Sequence, residues 1–296
     1  MSFDFTYKAA LRGFESLIIE NVWNGIGTLK MTINNQITNA DLIEIDDILF
    51  LETDKAFIVE KIEEKLSGSI ITYEITAVSL NALLRDYITI PPSGKAYDNL
   101  TDKREVIVRT WVMNNIISPE DTTRKLNSFV LGAIKGLGNT ISEQTRYKNL
   151  ADEVSRVLLP EDLGYKVELD LTNKQFVFNV YQGVNRTSLQ NVNSRILFGL
   201  KYGNISDYKK VKDTTSAKNI VYVAGQGEGA DRTIVEVAGT GTRRKETFVD
   251  ARDIDLLPAL MERGNQKLNE LSEINNYEFD TIERQFKYGI DYDLGD

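Results

Sequence analysis

The sequence predicts an α+β protein that is mainly β. Short runs with apolar side chains at alternate positions recur along the chain, and turn signals such as Asn24-Gly25 and Ser67-Gly68 separate them. Fewer segments have apolar residues at helical spacing. The chain has 296 residues, of which 42% are hydrophobic, so it is long enough for two domains with buried cores. The pattern divides it into three parts, at residues 1–92, 93–200 and 201–296.

The first part, 1–92, is predicted to form a β meander. Leu29, Met31 and Ile33 alternate with polar residues, and three similar runs follow before residue 79. Many short strands separated by turns are typical of a β-barrel or a β-sandwich. A short helical segment at 79–86 ends this part.

The middle part combines helices and strands. Asp102 and Glu105 are expected to cap a helix. The stretch 128–145 lacks periodicity and is predicted to be a mobile loop. The apolar residues of 147–158 fall on one helical face, and a hairpin with regular alternation follows at 165–180.

The last part contains the most regular hairpin pattern. The runs 220–224 and 234–238 predict two antiparallel strands, and a charged third strand is expected at 243–249. Asp255 is then expected to cap a helix that has Pro258 in its first turn, and the chain returns to β structure near its end.

Three glycines, Gly225, Gly227 and Gly229, lie in the loop of this hairpin. A phosphate-binding loop needs a helix after its glycines, because the N-terminal amides of that helix face the phosphate. Another β run follows here instead. The glycines are therefore predicted to permit positive φ in a wide turn, and no cofactor site is expected.

Histidine and cysteine are both absent from the chain. This composition excludes disulfides, zinc-thiolate sites, serine triads that use histidine and Cys-His proteases. The remaining possibilities are catalysis by carboxylates, catalysis by lysine, or no catalysis. We predict no catalytic residue and no metal site.

Several acidic pairs are the remaining candidates for catalysis or metal binding. Two carboxylates that face each other across a cleft could hydrolyse a glycosidic bond, but adjacent strand residues point to opposite faces. The segment 41–47 could supply oxygen ligands for calcium, but it lacks the glycine turn of an EF-hand and fits an exposed strand edge better. The candidate pairs are Asp46-Asp47, Glu63-Glu64, Glu120-Asp121 and Asp250 with Asp253.

A cluster of arginines and acids around the third strand predicts a polar structural network that holds this strand to the following helix. An alternative is a set of exposed salt bridges that adds little stability. Contact with a neighbouring subunit is left open. The network residues are Arg232, Arg243, Arg244, Asp250, Arg252 and Asp253, with Asp231 and Glu246 beside them.

The charge balance is acidic, with 35 Lys and Arg residues against 44 Asp and Glu residues and a net charge of −9. Such a surface is suited to DNA that passes without binding, and it also favours solubility. No membrane-spanning segment and no signal peptide are expected, because no apolar run is long enough and the first residues lack the basic-then-apolar order.

The segments VAGQGEGADR and RRKETFVDARDID, together with the closing YDLGD, resemble the second half of tail-tip and baseplate hub proteins of long-tailed bacteriophages. This family includes siphophage hubs and the N-terminal parts of tail-associated lysins, and it is related to VgrG-type hubs. The resemblance extends over nearly the whole chain. It implies two β-barrel-like domains with an α+β segment between them.

The resemblance also implies a virion structural protein, assembled in the host cytoplasm and located at the tail tip. Three copies would form a ring that contacts the distal tail, tail-tube and tape-measure proteins, and DNA would meet it only in transit. In the family the LGD segment usually leads into a further strand, so the chain is either a short hub or a fragment.

Two other classes of function are kept as alternatives. A carboxylate-based cell-wall hydrolase would need two acids in a deep pocket. A carbohydrate-binding adsorption module would need an exposed aromatic platform, and the spacing of the candidate aromatic residues does not indicate one. Those residues are Tyr87, Tyr97, Trp111 and Tyr202.

Overall fold

A computed structural model describes residues 1–252 and 254–296. The chain forms two compact units. Unit 1 comprises Met1–Asn185 and Asp293–Asp296, and unit 2 comprises Arg186–Tyr292. Strands make up 36% of the structure and helices 19%, and the sheets are curled, one of them into a half-barrel. The predicted α+β, mainly β class is confirmed, whereas the division into three domains stays a prediction.

Unit 1 begins with a five-stranded antiparallel sheet in the order β1-β2-β5-β4-β3. One face of this sheet buries Leu29, Ile33, Phe57 and Ile75. Leu29, Ile33 and Ile75 alternate with polar residues in the sequence, whereas Phe57 lies in a continuous apolar run. The strands are β1 (Ser16–Glu20), β2 (Thr28–Asn34), β3 (Ile48–Glu52), β4 (Lys55–Ser67) and β5 (Ile70–Ser79).

The remainder of unit 1 surrounds a core that contains Trp111 and several phenylalanines. Two small sheets contribute to it: β6 pairs with β8, and β10 lies between β7 and β9. The strands are β6 (Asp98–Lys103), β7 (Phe129–Leu131), β8 (Thr140–Thr145), β9 (Leu163–Asp170) and β10 (Gln175–Gln182). The helices are α1 (Ala82–Arg85), α2 (Arg104–Val112), continued by a π-helical turn at Met113–Ile117, and α3 (Leu150–Leu158).

Unit 2 contains two separate sheets and one helix. A ribbon of two antiparallel strands is formed by β11 and β15, and a three-stranded sheet has the order β13-β12-β14. The elements are β11 (Ile205–Asp213), β12 (Ile220–Ala224), β13 (Ile234–Ala238), β14 (Glu246–Asp250), α4 (Leu257–Glu270) and β15 (Ile274–Thr281).

The prediction of a mobile loop at 128–145 is wrong. This stretch contains β7, which pairs in parallel with β10, and β8, which pairs with β6. Both strands are short, and their partners are distant in sequence, so local periodicity did not reveal them.

The predicted helix caps are also wrong in two places. The N-cap of α2 is Lys103, and the carboxylate of Glu105 is instead buried, where it accepts hydrogen bonds from the backbone N–H groups of Lys135 (2.9 Å) and Leu137 (2.7 Å). The N-cap of α4 is Leu256, and its side chain makes no capping hydrogen bond. In both cases the expected acid lies one residue from the position that capping geometry requires.

Candidate functional site

The three-stranded sheet of unit 2 is covered by a helix on one face only. Val221, Val223 and Val237 point to the covered face and pack against Leu260 of α4. The close approach depends on Gly264 of the helix, because a Cβ there would lie 2.9 Å from the Cβ of Val237. The sheet therefore has one apolar face inside the unit and a second face free of the helix.

We define the outer face as this second face, and its centre is Tyr222. In the strand register Tyr222 lies between Glu236 of β13 and Phe248 of β14. Ile234 and Phe248 are each 57% exposed. Exposed apolar side chains of this size, on a sheet face that also holds paired charges, are more typical of a protein–protein contact surface than of a surface that stays in contact with solvent.

Arg232 anchors the hairpin loop to the end of β14. Its Nε donates to the carbonyl oxygen of Gly225 (2.8 Å), its Nη2 donates to that of Ala224 (2.7 Å), and it forms an ion pair with Asp250. The Arg232 side chain is 14% exposed. Asp250 also forms an ion pair with Arg252, whose Nε lies 3.1 Å from Asp250 Oδ2. The hydrogen bond from Arg232 lowers the pKa of Asp250, so this carboxylate is ionised at neutral pH.

Arg244 organises a second polar group on the outer face. Its Nη2 donates to the Tyr222 hydroxyl (2.6 Å) and to Glu236 Oε2 (3.0 Å), and its Nε pairs with Glu246. Hydrogen bonds from Tyr222 and Arg244 lower the pKa of Glu236, and the hydrogen bond to Glu236 raises the pKa of Tyr222. Both carboxylates therefore hold the guanidinium in a fixed orientation beside the exposed Phe248.

The structure divides the predicted arginine network into separate groups. Arg232, Asp250 and Arg252 meet at the loop end of the sheet, while Arg244 lies with Tyr222 and Glu236. Within residues 1–252 and 254–296, Arg243 forms no ion pair, and its carbonyl oxygen accepts from Asn219 Nδ2 (3.0 Å). Asp253 lies outside the described residues. The predicted role of these residues as one network stays a prediction.

The three glycines of the hairpin loop are required for different structural reasons. Gly227 (φ 112°) and Gly229 (φ 56°) have positive φ. At Gly225 a Cβ would lie 2.7 Å from the carbonyl oxygen of Ile254 and 2.8 Å from Leu260 Cδ1, so close packing determines this position. A short 3-10 turn and then β13 follow Gly229, and the loop opens no helix that could face a phosphate.

Most of the candidate catalytic acids have structural partners. Asp47 accepts from Lys8 Nζ (2.8 Å) and from the backbone N–H of Glu44 (2.9 Å). Glu63 pairs with Lys61, and Asp121 caps a short turn by accepting from Thr123 N (3.0 Å). Among the described residues no cluster of three or more carboxylates could hold a metal ion.

Most of the candidate aromatic residues of an adsorption module are buried or covered by other side chains. Trp111 is fully buried in the core of unit 1. Tyr202 lies in unit 2 beside Lys201, and the Tyr97 ring is covered by Arg146. Within unit 1, Trp111 and Tyr97 therefore offer no common face for stacking on a sugar.

The fold is similar to that of prophage tail proteins of known structure. Prophage tail protein gp18 from Listeria monocytogenes matches with 11% identity and a TM-score of 0.54, over 92% of this chain and 76% of that one. The 43 kDa tail protein of prophage MuSo2 from Shewanella oneidensis matches with 10% identity and a TM-score of 0.50, over 90% of this chain and 78% of that one. At these identities the likeness establishes the fold alone.

The family follows from the sequence itself. The model of the siphovirus ReqiPepy6 Gp37-like proteins matches residues 2–296, so the chain belongs to this family. No curated protein sequence matches the chain. The predicted resemblance to phage tail proteins is thereby confirmed. In the described part of the chain, every helix is too short or too polar to span a membrane.

Sequence reasoning placed Glu246 near Arg244, but it missed the other partners, Tyr222 and Glu236, and the exposed Phe248. Tyr222, Glu236 and Phe248 occupy the positions of their strands that face away from the valines. Their period-two alternation with those valines was a signal that could have placed them on one face, although it could not show that β14 is adjacent to β12.

Proposed function

We propose that the chain is a structural component of a siphovirus or prophage tail tip. Three copies form a ring hub that caps or continues the tail tube and anchors the host-contact apparatus. The family and the prophage tail-protein fold support a structural role in the tail. The protein acts as a building block without catalysis, in agreement with the absence of histidine and cysteine.

The outer face of unit 2 is the observation that supports assembly most directly. It combines the exposed Ile234 and Phe248 with arginines whose orientations are already fixed by ion pairs. Because these charged side chains are already held by ion pairs, they lose less conformational entropy when two copies associate. Such charge pairs around apolar residues also fix the register of the contact. We propose that this face contacts a neighbouring copy in the ring.

The proposed partners are the distal tail, tail-tube and tape-measure proteins, and DNA passes through the ring without specific binding. The net charge of −9 suits a channel that repels the phosphate backbone. The electrostatic potential calculated along the channel of an assembled ring tests this point, because a positive potential would overturn it.

Location in the virion tests the proposal as a whole. An epitope tag on the chain, detected with gold-labelled antibody on purified virions, is expected to mark the end of the tail that is remote from the head. Label on the head, or along the whole length of the tube, would exclude a tip hub.

Assembly is tested with the tail-tube protein of the same virion. Light scattering coupled to size exclusion is expected to show three copies of the chain in the complex. Phe248→Glu should lower the affinity between copies by at least tenfold, because a charge would enter the apolar centre of the contact. Tyr208→Glu changes a similarly exposed aromatic residue on the ribbon of unit 2 and serves as the matched control. Equal effects of the two variants would exclude the outer face as the contact.

A further inference from the structure

A groove of about 600 Å³ lies in unit 2 at the end of the hairpin opposite the glycine loop. The turn 239–243 after β13 forms one wall, the segment before β12 forms a second, and the C-terminal end of α4 closes it with Leu268 and Asn269. The outer face and the Arg232 group do not contribute to it. The groove is therefore a separate feature of the unit.

The groove is basic although the chain is acidic. Lys218, Arg243 and Lys245 line it, against a single carboxylate, Glu273. In the part of the chain that the structure describes, Lys218 and Arg243 form no ion pair. Lys245 Nζ donates to the carbonyl oxygen of Thr214, and its charge also acts on the carboxylate of Asp213. Two cations without acidic partners, Lys218 and Arg243, favour an anionic ligand.

The turn also presents backbone donors without partners. In residues 1–252 and 254–296, the N–H groups of Thr240, Gly241, Thr242 and Arg243 donate to no protein acceptor. Both threonines line the groove and add hydroxyl groups. Consecutive free amides beside hydroxyls and cations are the donor set that binds phosphate oxygens.

The turn is held in shape before any ligand binds. Asn219 Oδ1 accepts from the backbone N–H of Lys245 (2.7 Å), and Asn219 Nδ2 donates to the carbonyl oxygen of Arg243 (3.0 Å). Gly241 has a φ of 152°, and a Cβ at this position would overlap the Asn219 side chain. The conformation of the turn thus depends on a glycine at 241 and an asparagine at 219.

We propose that this groove binds a phosphate-bearing carbohydrate, meaning a phosphorylated saccharide or polyol. The phosphate lies against the turn amides, Lys218 and Arg243. The hydroxyl groups of the ligand contact Asn269, Ser272 and Glu273 on the opposite side, where acceptors and donors are both present. This binding goes beyond the proposed structural role and does not depend on it.

The test is a titration of the full chain, followed by calorimetry and by the amide signals of Gly239 and Gly241 in two-dimensional NMR. The ligands are inorganic phosphate, glycerol 3-phosphate, glucose 6-phosphate and glucose, at constant ionic strength in chloride. The phosphorylated sugar and the polyol phosphate are expected to bind at least tenfold more tightly than inorganic phosphate, and glucose alone is expected not to bind.

Variants then assign the binding to the groove. Arg243→Gln and Lys218→Gln should each weaken binding of glycerol 3-phosphate by about tenfold, because each removes one charge-assisted contact. Lys210→Gln removes the same charge from the β11–β15 ribbon of unit 2 and should leave the affinity unchanged. Arg243→Lys should restore part of the affinity, which separates a charge effect from a structural one.

Several results would overturn the proposal. They are an absence of shifts at Gly239 and Gly241, equal loss in the Lys210→Gln control, or tighter binding of a short acidic peptide than of either phosphate ester. All of these measurements are made in solution on single chains, so failure of the ring hub would leave them interpretable.

Discussion

Unit 1 and unit 2 bury their apolar surface in different ways. The core of unit 1 contains Trp111, Phe129, Tyr165, Phe176 and Phe178, all fully or almost fully buried. The sheet core of unit 2 consists of Val221, Val223, Val237, Ala251 and Leu260, with a few half-buried neighbours. A core of small aliphatic residues contributes less burial free energy than one built on large aromatic side chains.

The charged residues show the same contrast. In unit 1, Arg156 lies between Glu143 and Glu153, and Arg104 contacts Glu161, with little exposure of the arginines. In unit 2, Arg244 and its two acids are about half exposed, and all eight residues of β15 are exposed. The arginines Arg104 and Arg156 of unit 1 are thus paired in partly buried positions, whereas the ion pairs of Arg244 in unit 2 lie at the surface. The difference teaches that buried aromatic packing and partly buried ion pairs stabilise unit 1, whereas the ion pairs of Arg244 in unit 2 are exposed and contribute little stability.

The largest expected effect is in unit 1. Trp111→Ala should lower its free energy of unfolding by about 3–5 kcal/mol, because a fully buried indole leaves a cavity. Urea denaturation measures this loss of stability. The fluorescence of Trp23 reports on unit 1, because both tryptophans of the chain lie in this unit. Trp111→Phe should cost clearly less. Equal losses in the two variants would mean that cavity formation is not the cause.

Leu260→Ala should have the largest effect in unit 2 and lower its free energy of unfolding by about 2–5 kcal/mol, because Leu260 is buried in the small core between α4 and the sheet. Far-UV circular dichroism should show an early transition, while the tryptophan fluorescence transition keeps its midpoint. A shift of both midpoints together would show that the units unfold as one, and the contrast between them would then be wrong.

Arg232→Ala should lower the free energy of unfolding of unit 2 by about 1–3 kcal/mol. The substitution removes the donors to the carbonyl oxygens of Ala224 and Gly225 and leaves Asp250 without its main partner. Arg252→Ala is the matched control. Arg252 is 74% exposed and pairs with the same carboxylate, so its removal should change stability by less than about 0.5 kcal/mol. Circular dichroism during urea denaturation measures the free energy of unfolding of both variants. Similar losses of stability in the two variants would contradict the anchoring role of Arg232.

The smallest effect concerns the acid stability of unit 1. Burial alone would raise the pKa of Glu161, but hydrogen bonds from Arg104 and from the backbone of Asn139 outweigh it and hold the pKa below its usual value. The resulting stabilisation is complete above the unfolded-state pKa and is lost as the pH falls through the folded-state pKa. Glu161→Gln should therefore cost about 1 kcal/mol at pH 7 and much less at pH 3.

Denaturation at both pH values, followed by Trp23 fluorescence, checks this expectation. Glu228→Gln, an exposed acid of unit 2, should leave the midpoint unchanged at either pH. If the Glu161→Gln loss were the same at pH 3 as at pH 7, ionisation of this carboxylate would not be its source.

Much of the secondary structure could be predicted from local pattern. The strands β12 and β13 match the predicted runs 220–224 and 234–238 at every residue, and the hairpin of β9 and β10 covers the predicted alternation. Each of these segments alternates apolar and polar residues, and the backbone geometry of a strand converts that alternation directly into two faces. The strand β7 and the cap of α2 were missed because their determinants are contacts with distant residues.

The sequence by itself determined the mainly β class, the hairpins and the absence of imidazole and thiol chemistry, because period-two alternation and composition are properties of the local chain. Only the tertiary structure decided that β14 lies parallel to β12, that Arg232 and Arg244 belong to different groups, and that Arg243 lines a groove. The physical reason is that alternation assigns a side chain to a face but contains no information about which strand or loop will be its neighbour.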